Sequence, residues 1–217
     1  MTHFSAGELS DKSRVEAFSD GVFAIALTLL VLEIHVPRLA APVTCGALLL
    51  ALAQLWPSLL AMAASFFVVL SMWYTHHDLM HWVRGVDKCF LFANGFLLLI
   101  VSFVPFPTAV LSEYLNTPAR AGAVALYCGT FFFVAVAHLL LLRSIIANRR
   151  LLHTDVPAER VATVQRAYLF GPLAYLLLLT LSFRRPWFAL ILTFAMWILW
   201  LALDYGSRAR HPRTNPG

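Results

Sequence analysis

Long apolar runs separated by short polar or proline-bearing breaks fill this chain from Phe18 onward. A helix needs ~20 apolar residues to cross a bilayer, and the runs are of that order. The first, from about Phe18 to Val36, is stopped by Pro37, and Arg38 to Val43, rich in Pro and Ala, makes a linker. The second falls within Leu48 to Tyr74 and continues as helix through His76, His77 and His81. Gly46 to Gln54 is either its start or a short interfacial helix, and Pro57 suits a first turn or a kink. Arg84 to Lys88 is a charged turn. The third run covers Cys89 to about Val104, where Pro105-Phe106-Pro107 ends or kinks the helix. The fourth starts near Thr117 as N-cap with Pro118 in the first helical position and emerges after about Ile146 into Asn148-Arg149-Arg150. Leu151 to Arg166 is polar, basic and helical after Pro157. Ala167 to Phe183 is the fifth run, Arg184-Arg185-Pro186 a tight return, and Trp187 to about Leu203 the sixth. The pattern predicts an all-α membrane protein of six transmembrane helices in one domain, residues 1–205, followed by a disordered basic tail over 206–217.

Composition sharpens this. The chain of 217 residues is 60% hydrophobic and only 12% charged, with a mean hydropathy of +0.77. A soluble domain carries about 25% charged residues, so too little polar surface remains to cover a water-facing globule. No stretch is left for a separate soluble catalytic domain, and function must sit within the helices. Met1 to Ser13 is polar, and the run after it contains Asp20, unlike a cleavable leader. Cys45, Cys89 and Cys128 lack metal or disulfide spacing and read as packing residues.

The net charge of +5 reflects topology rather than nucleic-acid binding. With the N-terminus in the cytoplasm, the inner segments hold Lys12, Arg14, Arg84, Lys88, Arg143, Arg149, Arg150, Arg160, Arg166, Arg208, Arg210 and Arg213. The outer segments hold only Arg38, Arg120, Arg184 and Arg185. This obeys the positive-inside rule and puts both termini in the cytoplasm.

Helix one carries the candidate chemistry. Arg14, Ser19 and Asp20 stand at its cytoplasmic mouth, where a carboxylate must be paired or hydrated. Arg14 and Asp20 are badly placed to face each other on one helix. Unless they are simply a topology arginine and a helix-start acid, Asp20 finds its partner elsewhere, and a cluster of Arg14, Asp20 and His76 is expected. Deeper in, Ile25, Leu29 and Leu32 make one stripe, with Thr28 beside it. Such a stripe is ordinarily packing or lipid contact; around a shared axis it builds a narrow, dewetting pore. His77 and His81, one turn apart, have the spacing of a metal or haem pair, yet no second pair matches them. Thr-Val-Gly-Tyr-Gly, GxxxxGK[ST], HExxH and GxSxG are all absent. Carbonyl-cage selectivity, phosphate-loop chemistry and serine or zinc hydrolysis have no motif here, and no metal or cofactor is called for.

The run Arg14-x-x-x-Phe18-Ser19-Asp20, followed by Gly-Val-Phe-Ala-Ile-Ala-x-Thr-Leu-Leu-Val-Leu, resembles the signature of the transmembrane protein 175 family of endosomal and lysosomal potassium channels. Trp56-Pro57-Ser58, Ser65-Phe66 to Trp73-x-x-His76-His77, and Asn94 to Phe103-Val104-Pro105-Phe106-Pro107 fit it too, so the likeness covers runs one to three. It implies a single-repeat, bacterial-type homotetramer with helix one lining the pore and potassium as the permeant ion. Ile25 would be the narrowest hydrophobic ring, with Thr28, Leu29 and Leu32 further outward and Thr28 contributing to selectivity. Arg14, Ser19, Asp20 and His76 would form the polar network behind the inner mouth. Ala24 stands where family members can place Ser or Thr, one hydroxyl layer fewer, which implies weaker selectivity. The expected partners are further copies of the chain, potassium ions and the lipid bilayer, with no nucleic acid, and the expected location is the plasma membrane. The rival readings are a proton-coupled cation transporter using Asp20 and His76, and a redox or metal protein using His77 and His81.

Overall fold

In a computed structural model, residues 11–41, 43–154 and 156–209 are described, with side chains as far as 199. Helix α1, Lys12–Leu29, starts earlier than its apolar run because Asp11 caps it. The Asp11 Oδ1 accepts from the Ser13 backbone N–H and from the Ser13 hydroxyl, each at 2.9 Å. Those two bonds, the backbone one foremost, hold the Asp11 carboxyl below the usual carboxylate range. The α-helix tightens into a 3₁₀ turn over Leu30–Glu33, so it ends before Pro37.

Gly46 to Gln54 resolves as a separate short helix, α2, Cys45–Ala53, with the Thr44 hydroxyl accepting from the Ala47 backbone N–H at 3.2 Å. Helix α3, Trp56–Trp82, has Pro57 in its first turn, where the missing N–H is not needed. Helix α4, Lys88–Phe103, is capped by Asp87, whose Oδ1 accepts from the Phe90 backbone N–H at 2.8 Å. The prolines after it do not end the span. Pro105 and Pro107 lie at the start of a new helix, α5, Pro105–Tyr114, whose first turn has no intrahelical use for their N–H groups. Together Lys88–Tyr114 forms one long apolar unit.

The fourth run begins later than expected. Helix α6 is Arg120–Ala147, and Thr117 serves the preceding turn instead, its hydroxyl accepting from the Ala119 N–H at 3.1 Å. The polar segment after Pro157 and the fifth run are one continuous helix, α7, Ala158–Ser182. Pro186, assigned to the return by its sequence, is the first residue of α8, Pro186–Ala209. Helix α8 runs past Gly206, where the tail was placed, and the rest of that tail, 210–217, lies outside the described residues.

Among the described residues, five helical segments are long and apolar enough to cross a membrane: 12–33, 56–82, 88–114, 120–147 and 158–182. The described apolar part of α8, Pro186–Leu199, is shorter. Helix α6 is the hub, with 56% of its apolar window buried against 22% for α1 and 17% for α7. A buried hydroxyl chain pins its first third. The Thr108 hydroxyl donates to Ser65 Oγ at 2.8 Å, and Ser65 Oγ lies 3.0 Å from the Tyr127 hydroxyl.

One end of the bundle gathers the segments that charge assigned to the cytoplasm. Lys12 Nζ donates to the Met80 carbonyl at 3.2 Å, and the Asn148 amide donates to Asp87 Oδ2 at 2.8 Å. The turn after α3 meets the segment after α6 through the Val83–Leu152 bridge. There Arg160 donates to Asp78 at 3.1 Å and lies over the Trp82 ring.

Candidate functional site

Helix α1 has two unlike faces. Ser19, Phe23 and Ala26 are buried against its own protomer, and Leu30 continues that face into the 3₁₀ turn. Phe18, Gly21, Ala24, Ile25, Thr28, Leu29 and Leu32 are exposed. They recur at three- and four-residue steps, one stripe of a helix. Ile25 is 60% and Leu32 68% exposed, against 1% for Phe23 and for Ala26. The stripe carries no charge between Phe18 and Leu32. Thr28 is its one hydroxyl, and that hydroxyl donates back to the Ile25 carbonyl at 2.9 Å.

The buried face is held by hydrogen bonds in the N-terminal half of the helix. Asn94 on α4 joins three helices: its Nδ2 donates to Ser19 Oγ on α1 at 3.0 Å, and its Oδ1 lies 2.8 Å from His76 Nε2 on α3. Ser19 completes the chain by donating to the Val15 carbonyl at 2.8 Å. Ser19 and His76 are fully buried and Asn94 nearly so. One turn along α3, the Trp73 indole N–H donates to Asp20 Oδ1 at 2.8 Å. His77 stacks on Trp73 and approaches Glu16 Oε1 to 3.5 Å.

This corrects the expected cluster of Arg14, Asp20 and His76. Arg14 is exposed. Asp20 is satisfied by Trp73, and His76 by Asn94. The network is two separate ties from α1 into the bundle. Sequence reasoning missed Asn94 as a site residue, although it is the only amide in the third apolar run. A lone amide there must find a partner, because unpaired polar groups are costly where water is excluded. His77 and His81 are ring neighbours, with centroids 4.5 Å apart, but His81 Nδ1 is engaged by the His77 carbonyl at 2.8 Å. Among the described residues no group of three metal-ligating side chains occurs.

Between α1 and α4 lies an open cleft of about 380 Å³, lined by Asp11, Arg14, Phe18, Asn94, Gly95 and Leu98 among others. The arrangement is thus a firmly tied helix that shows an unpartnered aliphatic stripe, with a polar rim at one end.

Comparison with known proteins follows the same segments. The profile of the family described as endosomal/lysosomal potassium channel TMEM175 matches residues 14–105. A potassium channel of Chamaesiphon minutus is 43% identical over 191 residues, 88% of this chain and 94% of that protein. The crystal structure of a lysosomal potassium-selective channel TMEM175 homolog from Chamaesiphon minutus superposes with a TM-score of 0.79 at 40% identity, covering 88% of this chain and 96% of that one. The endosomal/lysosomal proton channel TMEM175 of Gallus gallus is 30% identical over 177 residues, but those are only 35% of its length. Near-complete coverage of a relative at this identity is decisive, and the chain belongs to the TMEM175 family.

Proposed function

We propose that this chain is the subunit of a potassium-permeable cation channel, a homotetramer in the plasma membrane with both termini cytoplasmic. Each copy contributes six spans, α8 being the sixth, and helix one lines the central axis. The observation that carries the proposal is the exposed, uncharged stripe of α1, on a helix whose other face is tied into its own protomer. The Chamaesiphon relatives support the choice of ion, since both are named as potassium channels.

Ile25 is the constriction in this reading, with Leu29 and Leu32 lining the pore outward of it. An ion passing a ring of bare aliphatic side chains sheds part of its water with little replacement. Potassium holds water less tightly than sodium, so it meets the lower barrier. Thr28 is the polar exception. Because its hydroxyl hydrogen is used on the Ile25 carbonyl, the side chain turns oxygen lone pairs, not a donor, toward a passing cation. With Ala24 beside Ile25, this is the only hydroxyl layer near the ring, which favours modest selectivity. Arg14, at the inner rim, opposes cation entry, and Asp20 favours it.

The test is Ile25→Asn in reconstituted protein. A wetted, wider ring raises conductance and moves the potassium-against-sodium reversal potential toward zero selectivity. Unchanged currents and reversal potential would remove Ile25 from the pore. The transporter alternative is not favoured, because Asp20 and His76 have separate partners and do not form a shared relay.

A further inference from the structure

The inner end of the bundle carries a basic cluster that the site above does not use. There the turn between α3 and α4 is strapped to the segment between α6 and α7. The Arg84 backbone N–H donates to the Leu151 carbonyl and the His153 N–H to the Trp82 carbonyl, each at 2.9 Å, on either side of the Val83–Leu152 bridge. Arg84 Nε donates to the Arg150 carbonyl, so its guanidinium lies against the turn that carries Arg149 and Arg150. That turn is closed by the Leu151 N–H on the Asn148 carbonyl at 2.9 Å. Asn148 also donates to Asp87, the neighbour of Lys88. Arg84, Lys88, Arg149 and Arg150 are thereby gathered from two separate connections, and all four are exposed.

The cluster has no counter-charge of its own. Among the described residues the ion pairs are His77–Glu16 and Arg160–Asp78, and neither involves these four. Asp87 is already engaged, one oxygen capping α4 and the other accepting from Asn148. Topology alone does not call for this arrangement. The positive-inside rule needs basic residues in the inner segments, not backbone bonds that hold them together, and like charges held close repel. An anion seated among them relieves that repulsion.

Depth decides which anion. Lys88 opens α4, and one turn further in Phe92 is 81% exposed. On α6, Leu140 is exposed two turns above Asn148. Four residues of helix rise about 6 Å, so the basic heads stand just outside the apolar zone, at the depth of lipid phosphates. Guanidinium groups hold phosphate oxygens in pairs, and basic clusters beside transmembrane helices attract anionic headgroups.

We infer that Arg84, Lys88, Arg149 and Arg150 form a seat for the phosphate of an anionic phospholipid headgroup. The seat does not depend on the channel reading. It is joined to helix one through α3 and α4, whose Trp73, His76 and Asn94 hold that helix, so the headgroup braces the frame of α1.

The probes are phosphatidylglycerol, phosphatidylcholine and inorganic phosphate, each added to the full chain in detergent. Mass measurement of retained lipid is expected to show at least about tenfold preference for phosphatidylglycerol over phosphatidylcholine, a modest demand on four basic side chains at a membrane surface. Hydrogen exchange on the wild type places the lipid. Phosphatidylglycerol, unlike the other two probes, should slow exchange of the Arg84, Leu151 and His153 amides. Arg84→Gln/Arg149→Gln/Arg150→Gln should lose the preference. Arg38→Gln/Arg184→Gln/Arg185→Gln removes as many exposed charges from the outer segments and should keep it. If the first variant fails to fold, the wild-type exchange decides. Equal retention of the two lipids, slowed exchange outside the strap only, or equal loss in both variants would overturn the seat. Equal protection by inorganic phosphate would overturn it too, since the anion would then come from solution.

Discussion

Asn94 offers the sharpest test of how helix one is held. Replacing it with leucine keeps a side chain of similar size and removes both of its hydrogen bonds, to Ser19 at 3.0 Å and to His76 at 2.8 Å. The two losses are unequal. Ser19 still donates to the Val15 carbonyl and forfeits only a bond it accepted. His76 is fully buried, and its Nδ1 has no hydrogen-bond partner, so the substitution leaves the whole ring unpaired. Interhelical hydrogen bonds inside membranes average about 0.6 kcal/mol, which sets a floor of about 1 kcal/mol for the two. Stranding a buried polar group costs about 1–3 kcal/mol. These are two measures of one loss and do not add, so the cost is about 1–3 kcal/mol, with the orphaned imidazole dominating. At ~2–4 °C per kcal/mol for a chain of this size, thermal melting in detergent should fall by about 2–12 °C. A second variant checks the mechanism. His76→Phe in the Asn94→Leu background removes the stranded group, and replacing both partners by apolar ones is nearly neutral. The double variant should therefore recover at least about 1 kcal/mol relative to the sum of the singles. A melting point for Asn94→Leu within 1–2 °C (roughly 0.5 kcal/mol) of wild type, or singles that simply add, would refute the claim that this amide anchors α1.

Trp73→Phe removes the indole donor from Asp20 and should lower stability by about 1.5–3 kcal/mol, the range for hydrogen bonds to charged groups, with Trp73→His a partial rescue in the same melting assay. The Asp11 cap gives a pH dependence. Its carboxyl is held below the usual carboxylate range by the Ser13 backbone N–H, so its contribution is present above the unfolded aspartate value of about 3.9 and is lost as pH falls through the lower folded value. Hydrogen exchange in the first turn of α1 should quicken across that window, and Asp11→Ala should show the quickened exchange at every pH.

The apolar runs announced nearly every span because each is long enough to need lipid, and periodicity survives any detail of packing. Where the boundaries slipped, local chemistry had outcompeted the run. Asp11 caps α1 before its apolar stretch begins, and Pro105 and Pro107 follow the end of α4 at Phe103 but open α5 within the same apolar unit, because a first turn has no use for their N–H groups. The site was legible in part for a similar reason. An α-helix fixes which residues share a face, so the Ile25–Leu29–Leu32 stripe could be written down from spacing. Partners across helices could not. Asp20 meets Trp73 and His76 meets Asn94 because of the rotation of α3 and α4 about their own axes. No single-helix period encodes that.

In the proposed pore, the anchoring also decides which aliphatic residue can serve as a filter. Discrimination between two cations by dehydration needs a radius that does not drift. Ile25 is flanked in sequence by Phe23 and Ala26, each 1% exposed, so the backbone that carries it is packed on both sides. The hydrogen-bonded anchor at Ser19 lies six residues inward, ~9 Å along the helix, and a continuous α-helix transmits that restraint. Leu32 is supported on one side only, by the buried Leu30. It lies in the 3₁₀ turn Leu30–Glu33, beyond the end of the α-helix, where hydrogen-bond geometry is poorer. Leu29 falls between them as the last residue of α1. Of the three side chains on the proposed pore stripe, Ile25 is the one carried inside the α-helix and nearest the Ser19 anchor, so it is the expected place for a fixed aperture. Substitutions at Leu32 should therefore change conductance with little effect on which cation is preferred, whereas those at Ile25 should change both.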